Sequence, residues 1–307
     1  MAAAILFCVS LVATLYAASV FADRLDHLGE LLGLPEAIIG LLTALAADGP
    51  ELSSAIFALA QGRHDVGLGV VVGASLFNLA TMLGFSALIA GPLILRRDEI
   101  ALEGGVALAV VGAVVLWIFG VVPAWAALVI AGVAATTYVA IVGFTRERGR
   151  ALGEHHRRHG RPPKETLLLI PVAAAVIVLG SVGMVHSALT LGGRAGVPDL
   201  LIGTLLLAVL TSLPNAYTGV RLGLARRSSA LVSDAMNSNT INLLGGLLIP
   251  ALFVTFDVSG VAKADLALLL GATALAVVLL TRGMRRAGGV VLIATWVAFV
   301  VLQAATA

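Results

Sequence analysis

What constrains this chain most is a succession of ten apolar stretches, at about 4–22, 34–61, 66–92, 101–119, 122–144, 166–188, 196–224, 229–255, 262–281 and 287–306. Roughly 20 apolar residues cross the hydrocarbon core of a bilayer as a helix. Inside that core every backbone amide and carbonyl must be bonded within the protein, so a spanning segment is either a helix or a strand of a closed barrel. Barrel strands alternate apolar and polar residues over about 10 positions. The stretches here are apolar continuously, and the second, third, seventh and eighth are too long for strands. With 60% hydrophobic and 12% charged residues, and a mean hydropathy of +1.06, the chain could not cover itself with a polar surface. The expected fold class is an all-α membrane protein of ten transmembrane helices, with the lipid bilayer as its main partner. The first stretch has no basic residue before Arg24 and reads as a retained helix rather than a signal peptide. Cys8 is the single cysteine, which excludes an intrachain disulfide.

One long polar segment, Arg146 to Lys164, falls after the fifth stretch and divides the chain into five spans and five. Placing it in the cytoplasm puts 15 of the 19 Lys and Arg inside, leaving Arg63, Arg194 and Lys263 outside and Arg221 within a helix. Basic residues resist translocation, so the expected topology has both termini outside, and the expected location is the cell membrane. Cytoplasmic loops carry such charge by default. The basic segment therefore implies no nucleic-acid partner.

The two halves repeat each other at a constant offset of 164 residues across the second and third stretches and the seventh and eighth. Ile38 pairs with Ile202, Leu41 with Leu205, Leu42 with Leu206, Ala44 with Ala208, Pro50 with Pro214, Asn78 with Asn242 and Leu79 with Leu243. Apolar coincidences are cheap in such a chain, but the proline and asparagine pairs are not. Five spans separate the copies, so they run through the membrane in opposite senses, as inverted repeats do. The division expected is a first five-helix repeat at 1–145 with its motif at 38–84, a basic loop at 146–165, and a second repeat at 166–307 with its motif at 202–248. Pro50 and Pro214 sit near the middle of long apolar runs, where proline frees the carbonyls of Ala46 and Leu210. Broken helices 2 and 7 are therefore expected, facing each other where the repeats meet. A freed carbonyl is tolerated at that depth where it is buried in protein or lines a wet cavity.

Polar residues gather around those prolines. Asp48 and Glu51 lie three apart, on one side of a turn, at a depth where insertion of an Asp costs about +2.5 to +3.5 kcal/mol and marks an ion or proton pathway. At the corresponding positions of the second copy stand Ser212 and Asn215, with Thr211 beside them, while Asn78 and Asn242 come from the following helices. Ser75, Ser238 and Asn239 lie within a turn of those asparagines and fit interhelical hydrogen bonding as well as ligation. Asp234 fits either a helix-end charge or a third carboxylate at the cavity, and Arg221 is expected to snorkel outward. These are hard oxygen ligands with no Cys or His among them. They suit Na⁺, Ca²⁺, Mg²⁺ or H⁺ as a transported substrate and argue against zinc or copper; no cofactor is expected.

These residues resemble the α-repeats of the calcium/cation antiporter superfamily, whose copies read like G-T-S-L-P-E on the broken helix and G-S-N-I-F-N on the next. Here the first copy reads Ala46-Ala47-Asp48-Gly49-Pro50-Glu51 and Gly73-Ala74-Ser75-Leu76-Phe77-Asn78. The second reads Leu210-Thr211-Ser212-Leu213-Pro214-Asn215 and Asn237-Ser238-Asn239-Thr240-Ile241-Asn242. The resemblance implies a secondary cation antiporter, exchanging Ca²⁺ or a related cation for Na⁺ or H⁺, with ten helices and both termini outside. It also implies that the first and sixth helices, or a larger bundle, slide past a fixed site lined by the four repeat helices. Glu51 would be the principal cation-binding carboxylate, with Asp48, Asn78, Thr211, Ser212, Asn215, Ser238 and Asn242 around it. Asn215 departs from the pattern, since it stands where the family has its second carboxylate. Asp48, where the family has a serine, restores the missing charge on the other copy. Other readings are a transporter of another cation or small solute, or a transport-inactive sensor. An intramembrane enzyme is not expected, because the chain has no paired Gly-rich aspartate motif, nucleophile elbow or H-E-x-x-H. Oligomeric state leaves no mark in the sequence.

Overall fold

The computed structural model describes residues 1–32, 44–150, 164–256 and 258–306, which are almost entirely helical. We number the helices α1 (Ala2–Leu31), α2 (Gly49–Ala60), α3 (His64–Ala90), α4 (Arg97–Ile118), α5 (Ala124–Arg150), α6 (Lys164–Ala195), α7 (Asp199–Thr211), α8 (Leu213–Leu224), α9 (Ser228–Leu243), α10 (Gly260–Thr281) and α11 (Arg286–Thr306). Among the described residues seven helices are long and apolar enough to cross a membrane, and α7 with α8, bent by 47°, makes an eighth span. Two expected spans fall outside that count. Of 34–61 only the part from 44 is described, so the pairings of Ile38, Leu41 and Leu42 lie outside the described residues, as does most of the basic loop. The span expected at 229–255 exists as α9, a widened π-helical turn at Leu244–Leu248 and a short 3₁₀ turn at Pro250–Leu252, but it carries Asp234, Asn237, Asn239 and Asn242.

α3 runs through the middle of the molecule, with every residue from Val66 to Asn78 buried, while α5 and α11 expose apolar side chains such as Trp125, Val129 and Val301. A helix apolar all round belongs in the interior, which is why α3 lacks a polar stripe. Its glycines let a second backbone approach. A Cβ on Gly73 would fall on the Thr204 carbonyl oxygen and 2.8 Å from the Ala208 Cβ, both on α7, and one on Gly203 would fall on the Val66 carbonyl. Small residues at such crossings supply the packing that drives helix association in lipid. Overpacking costs about 1–3 kcal/mol or more, so Gly73→Val is expected to lower the yield of folded protein in detergent, read as loss of the monodisperse chromatographic peak. Recovery of the normal peak would show that α3 and α7 are not held this closely.

Two helix ends differ from expectation. α1 continues nine residues past the expected 22, and α6 reaches Ala195 rather than 188, because charged and small residues prolong a helix beyond the lipid as readily as apolar ones within it. The prolines also need correction. Neither sits inside a continuous helix: Pro50 and Pro214 each occupy the first turn of the helix after the break, α2 and α8, where a missing amide is tolerated. The breaks fall two residues earlier, at Asp48 and Ser212.

Those breaks match each other bond for bond. The Asp48 amide donates to the Ala44 carbonyl at 2.9 Å and its carbonyl accepts from Leu52 at 3.0 Å; the Ser212 amide donates to Ala208 at 3.1 Å and its carbonyl accepts from Ala216 at 3.0 Å. Each member of the second set lies 164 residues after its partner in the first. Dihedrals agree too, at φ −80°, ψ −1° for Asp48 and φ −85°, ψ 1° for Ser212. Both residues lie in the sparsely populated bridge region where active-site residues are often found.

Candidate cation site

Because helices stop and restart at these two residues, their side chains and those one turn on are delivered into the protein interior. Asp48 is 1% exposed and Glu51 is 0% exposed. Asn215, at the start of α8, donates from Nδ2 to Asp48 Oδ1 at 2.8 Å and lies 3.4 Å from Glu51 Oε1. The Ser212 hydroxyl donates to Glu51 Oε1 at 2.9 Å, and the Ser238 hydroxyl of α9 donates to Asp48 Oδ1 at 2.6 Å. Asn78 of α3 donates to Ser238 Oγ at 3.0 Å, and Asn239 donates to the Ser75 carbonyl at 3.1 Å. Two broken helices and the two helices that follow them thus meet in one buried polar cluster.

Among the described residues every side-chain donor to these carboxylates is neutral. Among the described residues the salt bridges are Arg63–Asp199 at 2.9 Å and Arg96–Asp98 at 2.8 Å, both exposed, and neither touches the cluster. Burying a charge without a counter-charge is among the largest penalties in a protein interior, so two such carboxylates in one cluster call for a positive charge from outside the chain. The leftover atoms agree. Asp48 Oδ2, Glu51 Oε2, Asn78 Oδ1, Asn242 Oδ1 and the hydroxyls of Ser75 and Ser54 are buried oxygens with no hydrogen-bond partner among the described residues, and Asn242 Nδ2 has none either. Native proteins leave few buried polar atoms unpaired. A set of oxygen acceptors in excess of its donors is what a hard cation requires.

Of the eight expected site residues, Asp48, Glu51, Asn78, Ser212, Asn215 and Ser238 are joined by hydrogen bonds. Asn242 is buried and unbonded. Thr211 is set apart, since its hydroxyl turns back to the Leu207 carbonyl at 2.8 Å along its own helix. Ser54 was not singled out from the sequence, although its spacing of three from Glu51 puts it on the same face of α2. Asp234 lies one turn before Ser238 on α9, in the second turn of that helix rather than at its end. Arg221 is exposed, with its guanidinium 5.7 Å from the Tyr217 ring.

Comparison with known proteins matches residues 2–145 and 165–305 to the family described as sodium/calcium exchanger protein. Sodium/calcium exchanger MaX1 of Methanosarcina acetivorans is 26% identical, over 92% of this chain and 93% of its own length. Inner membrane protein YrbG of Escherichia coli is 24% identical, over 78% of each chain. The crystal structure of the H⁺/Ca²⁺ exchanger CAX superimposes with a TM-score of 0.76 at 16% identity, covering 97% of this chain and 82% of that one. The sodium-calcium exchanger NCX_Mj does so at 0.67 and 18%, covering 97% and 98%.

Proposed function

The chain belongs to the sodium/calcium exchanger protein family, and from that premise we propose that it is a secondary antiporter that exchanges Ca²⁺ or a related cation for Na⁺ or H⁺ by alternating access. The observation that carries this reading is the pair of buried carboxylates, Asp48 and Glu51, hydrogen-bonded only by neutral groups and surrounded by unpaired oxygens. Together they offset the charge of one divalent ion, and Asn78, Ser238, Asn242 and Ser212 supply further oxygen ligands to a cation stripped of water. The site needs no cofactor, because the cation is the cargo.

Ten spans in two inverted five-helix repeats, 1–145 and 166–307, form the architecture in this reading. Two contacts support it. Glu51 meets Asn215, and Ser75 meets Asn239, each residue touching the one 164 positions along. Residues that touch their own repeat counterparts lie close to the axis that relates the copies, and a pseudo-two-fold axis in the membrane plane puts that point near the midplane. The interruption of the family match at 146–164 supports the division between the halves.

α1 and α6 form the moving element. Part of their packing is a small apolar cluster of its own, Ala17, Ala18, Ala173 and Ile177, while Phe7, Met184, Val185 and Ala188 join the main core. Glycines bring them together, Gly180 against Thr14 and Gly183 against Ser10. The pair reaches the break through Ser181, whose hydroxyl donates to the Pro50 carbonyl at 3.4 Å. A pair of helices packed closely on each other, with one side-chain hydrogen bond to the break among the described residues, can slide as a unit.

Both termini face outside, and the protein resides in the cell membrane. In a Cys8→Ser background, Lys263→Cys is expected to react with an impermeant thiol reagent on intact cells, and Arg282→Cys only after the membrane is opened. The reverse pattern would invert the topology. The function itself is tested in proteoliposomes, where Ca²⁺ uptake is expected only against an outward gradient of Na⁺ or H⁺. A scan of ions identifies the coupling partner. Absence of counter-driven flux for every cation tried would leave a transport-inactive protein and end the antiporter reading.

A further inference from the structure

On the face that carries most of the arginines, three of them converge on a cavity of about 450 Å³ lined by Gly91, Pro92, Arg226, Arg285, Arg286 and Ala287. They come from separate connections, the turn between α8 and α9 and the start of α11. A backbone bridge holds the parts together, with the Leu93 amide donating to the Met284 carbonyl at 2.8 Å. None of the three guanidiniums has a carboxylate partner among the described residues. All three are exposed, so water and salt screen their mutual repulsion in part, and an anion bound among them would be attracted by all three.

Arg226 adds a backbone observation. It is the one non-glycine with positive φ among the described residues, at 57°. Its turn repeats that of residue 62, 164 positions earlier: the Gly62 and Arg63 amides donate to Leu59 and Ala58, and the Arg226 and Arg227 amides donate to Gly223 and Leu222. The first copy fills the left-handed position with Gly62, φ 72°, which adopts it freely. An arginine there is strained, and strain kept at one position points to a side chain needed at that place.

The surroundings identify the occupant. Leu224, Ile89 and Val290, at the neighbouring helix ends, are apolar and exposed, and with the topology proposed above this cavity faces the cytoplasmic headgroup layer. Guanidinium forks bind phosphate oxygens in pairs, and basic pockets between spans hold anionic headgroups. We propose that this cavity binds the phosphate group of an anionic phospholipid, with Arg226, Arg285 and Arg286 as its ligands and the adjoining apolar helix ends holding its chains.

The test uses the full chain purified in a neutral detergent, with native mass spectrometry reading binding of phosphatidylglycerol, phosphatidylcholine of the same chains, and inorganic phosphate. Saturable binding of phosphatidylglycerol is expected, at least about tenfold tighter than that of phosphatidylcholine. Arg226→Gly and Arg285→Gln should each weaken it by about five- to tenfold, the effect of one basic residue at a membrane surface. Arg194→Gln, on the opposite face, should leave it unchanged. Arg226→Gly should also leave the melting temperature of the lipid-free protein unaltered or higher, because glycine relaxes that turn; a purely structural role would lower it. Equal affinity for the two lipids, an equal loss in Arg194→Gln, or undiminished binding in Arg226→Gly overturns the site. Millimolar phosphate abolishing the preference for phosphatidylglycerol reassigns the cavity to a soluble anion and overturns the lipid.

Discussion

Glu51→Gln is expected to abolish cation exchange in proteoliposomes while leaving the protein folded. The amide has the shape of the carboxylate, and its oxygen can still accept from Ser212 at the 2.9 Å distance seen for Glu51 Oε1, so the breaks and their packing survive. What is lost is one of two charges that balance a desolvated cation. Affinity for Ca²⁺ changes over decades with the number of charged ligands, so the loss should reach about 100-fold or more in exchange rate at limiting ion. Flux and the monodisperse chromatographic peak must be measured on the same preparation. Full activity of a well-folded Glu51→Gln protein would sink the cation-site reading, since no other carboxylate of the first repeat both stands at the position the resemblance assigns and lies so near the break.

The second large effect concerns the pair Asp48 and Asn215. Asn215 stands where the resembling family has its second carboxylate, and Asp48 stands where it has serine. In the structure these two touch, Asn215 Nδ2 to Asp48 Oδ1 at 2.8 Å. A carboxylate at position 215 would therefore lie against Asp48, so either residue could bring a charge to the same place from its own repeat. Asp48→Ser should cut exchange by about 10- to 100-fold, on the same ground of ligand charge. Asn215→Glu alone should also impair it, because a third carboxylate would sit against two others in a buried cluster. Combined, the two changes restore the charge count, and the double variant should regain most of the activity, with a coupling energy of about 1–3 kcal/mol between the sites. A double variant no better than Asp48→Ser would mean that the two positions are not exchangeable, and that Asp48 has a different task.

Much of this candidate site is legible in the sequence, because carboxylates and prolines inside apolar runs are costly enough to be conspicuous. Asp48, Glu51, Pro50 and Pro214 announce themselves against a background of Leu, Val and Ala, and the offset of 164 makes their pairing visible. Small neutral residues are different. Ser54 and Thr211 look alike in a sequence, yet one hydroxyl is buried without a partner and the other is bonded back to its own helix. Which of these happens depends on rotamer and on where the break falls, and the break is set by Asp48 and Ser212 rather than by the prolines themselves. Asp234 could not be assigned from its distance to Arg227. Its place one turn before Ser238 follows from the length of α9.

By itself, then, the sequence determined that the chain lives in lipid as helices, that each half carries one of a repeated pair of broken segments, and that hard oxygen ligands gather around the breaks. These are properties of solvation and periodicity, and they are local to each stretch of chain. Only the tertiary structure decided which oxygens are left without donors, that the charge of Asp48 lies against the amide of Asn215, and that Arg226 shares a cavity with Arg285 and Arg286. Each of these depends on residues scores of positions apart being brought within a few ångströms. That approach is set by the close crossing of α3 with α7 at their glycines and by the dihedrals of two break residues, which hydropathy and spacing do not encode.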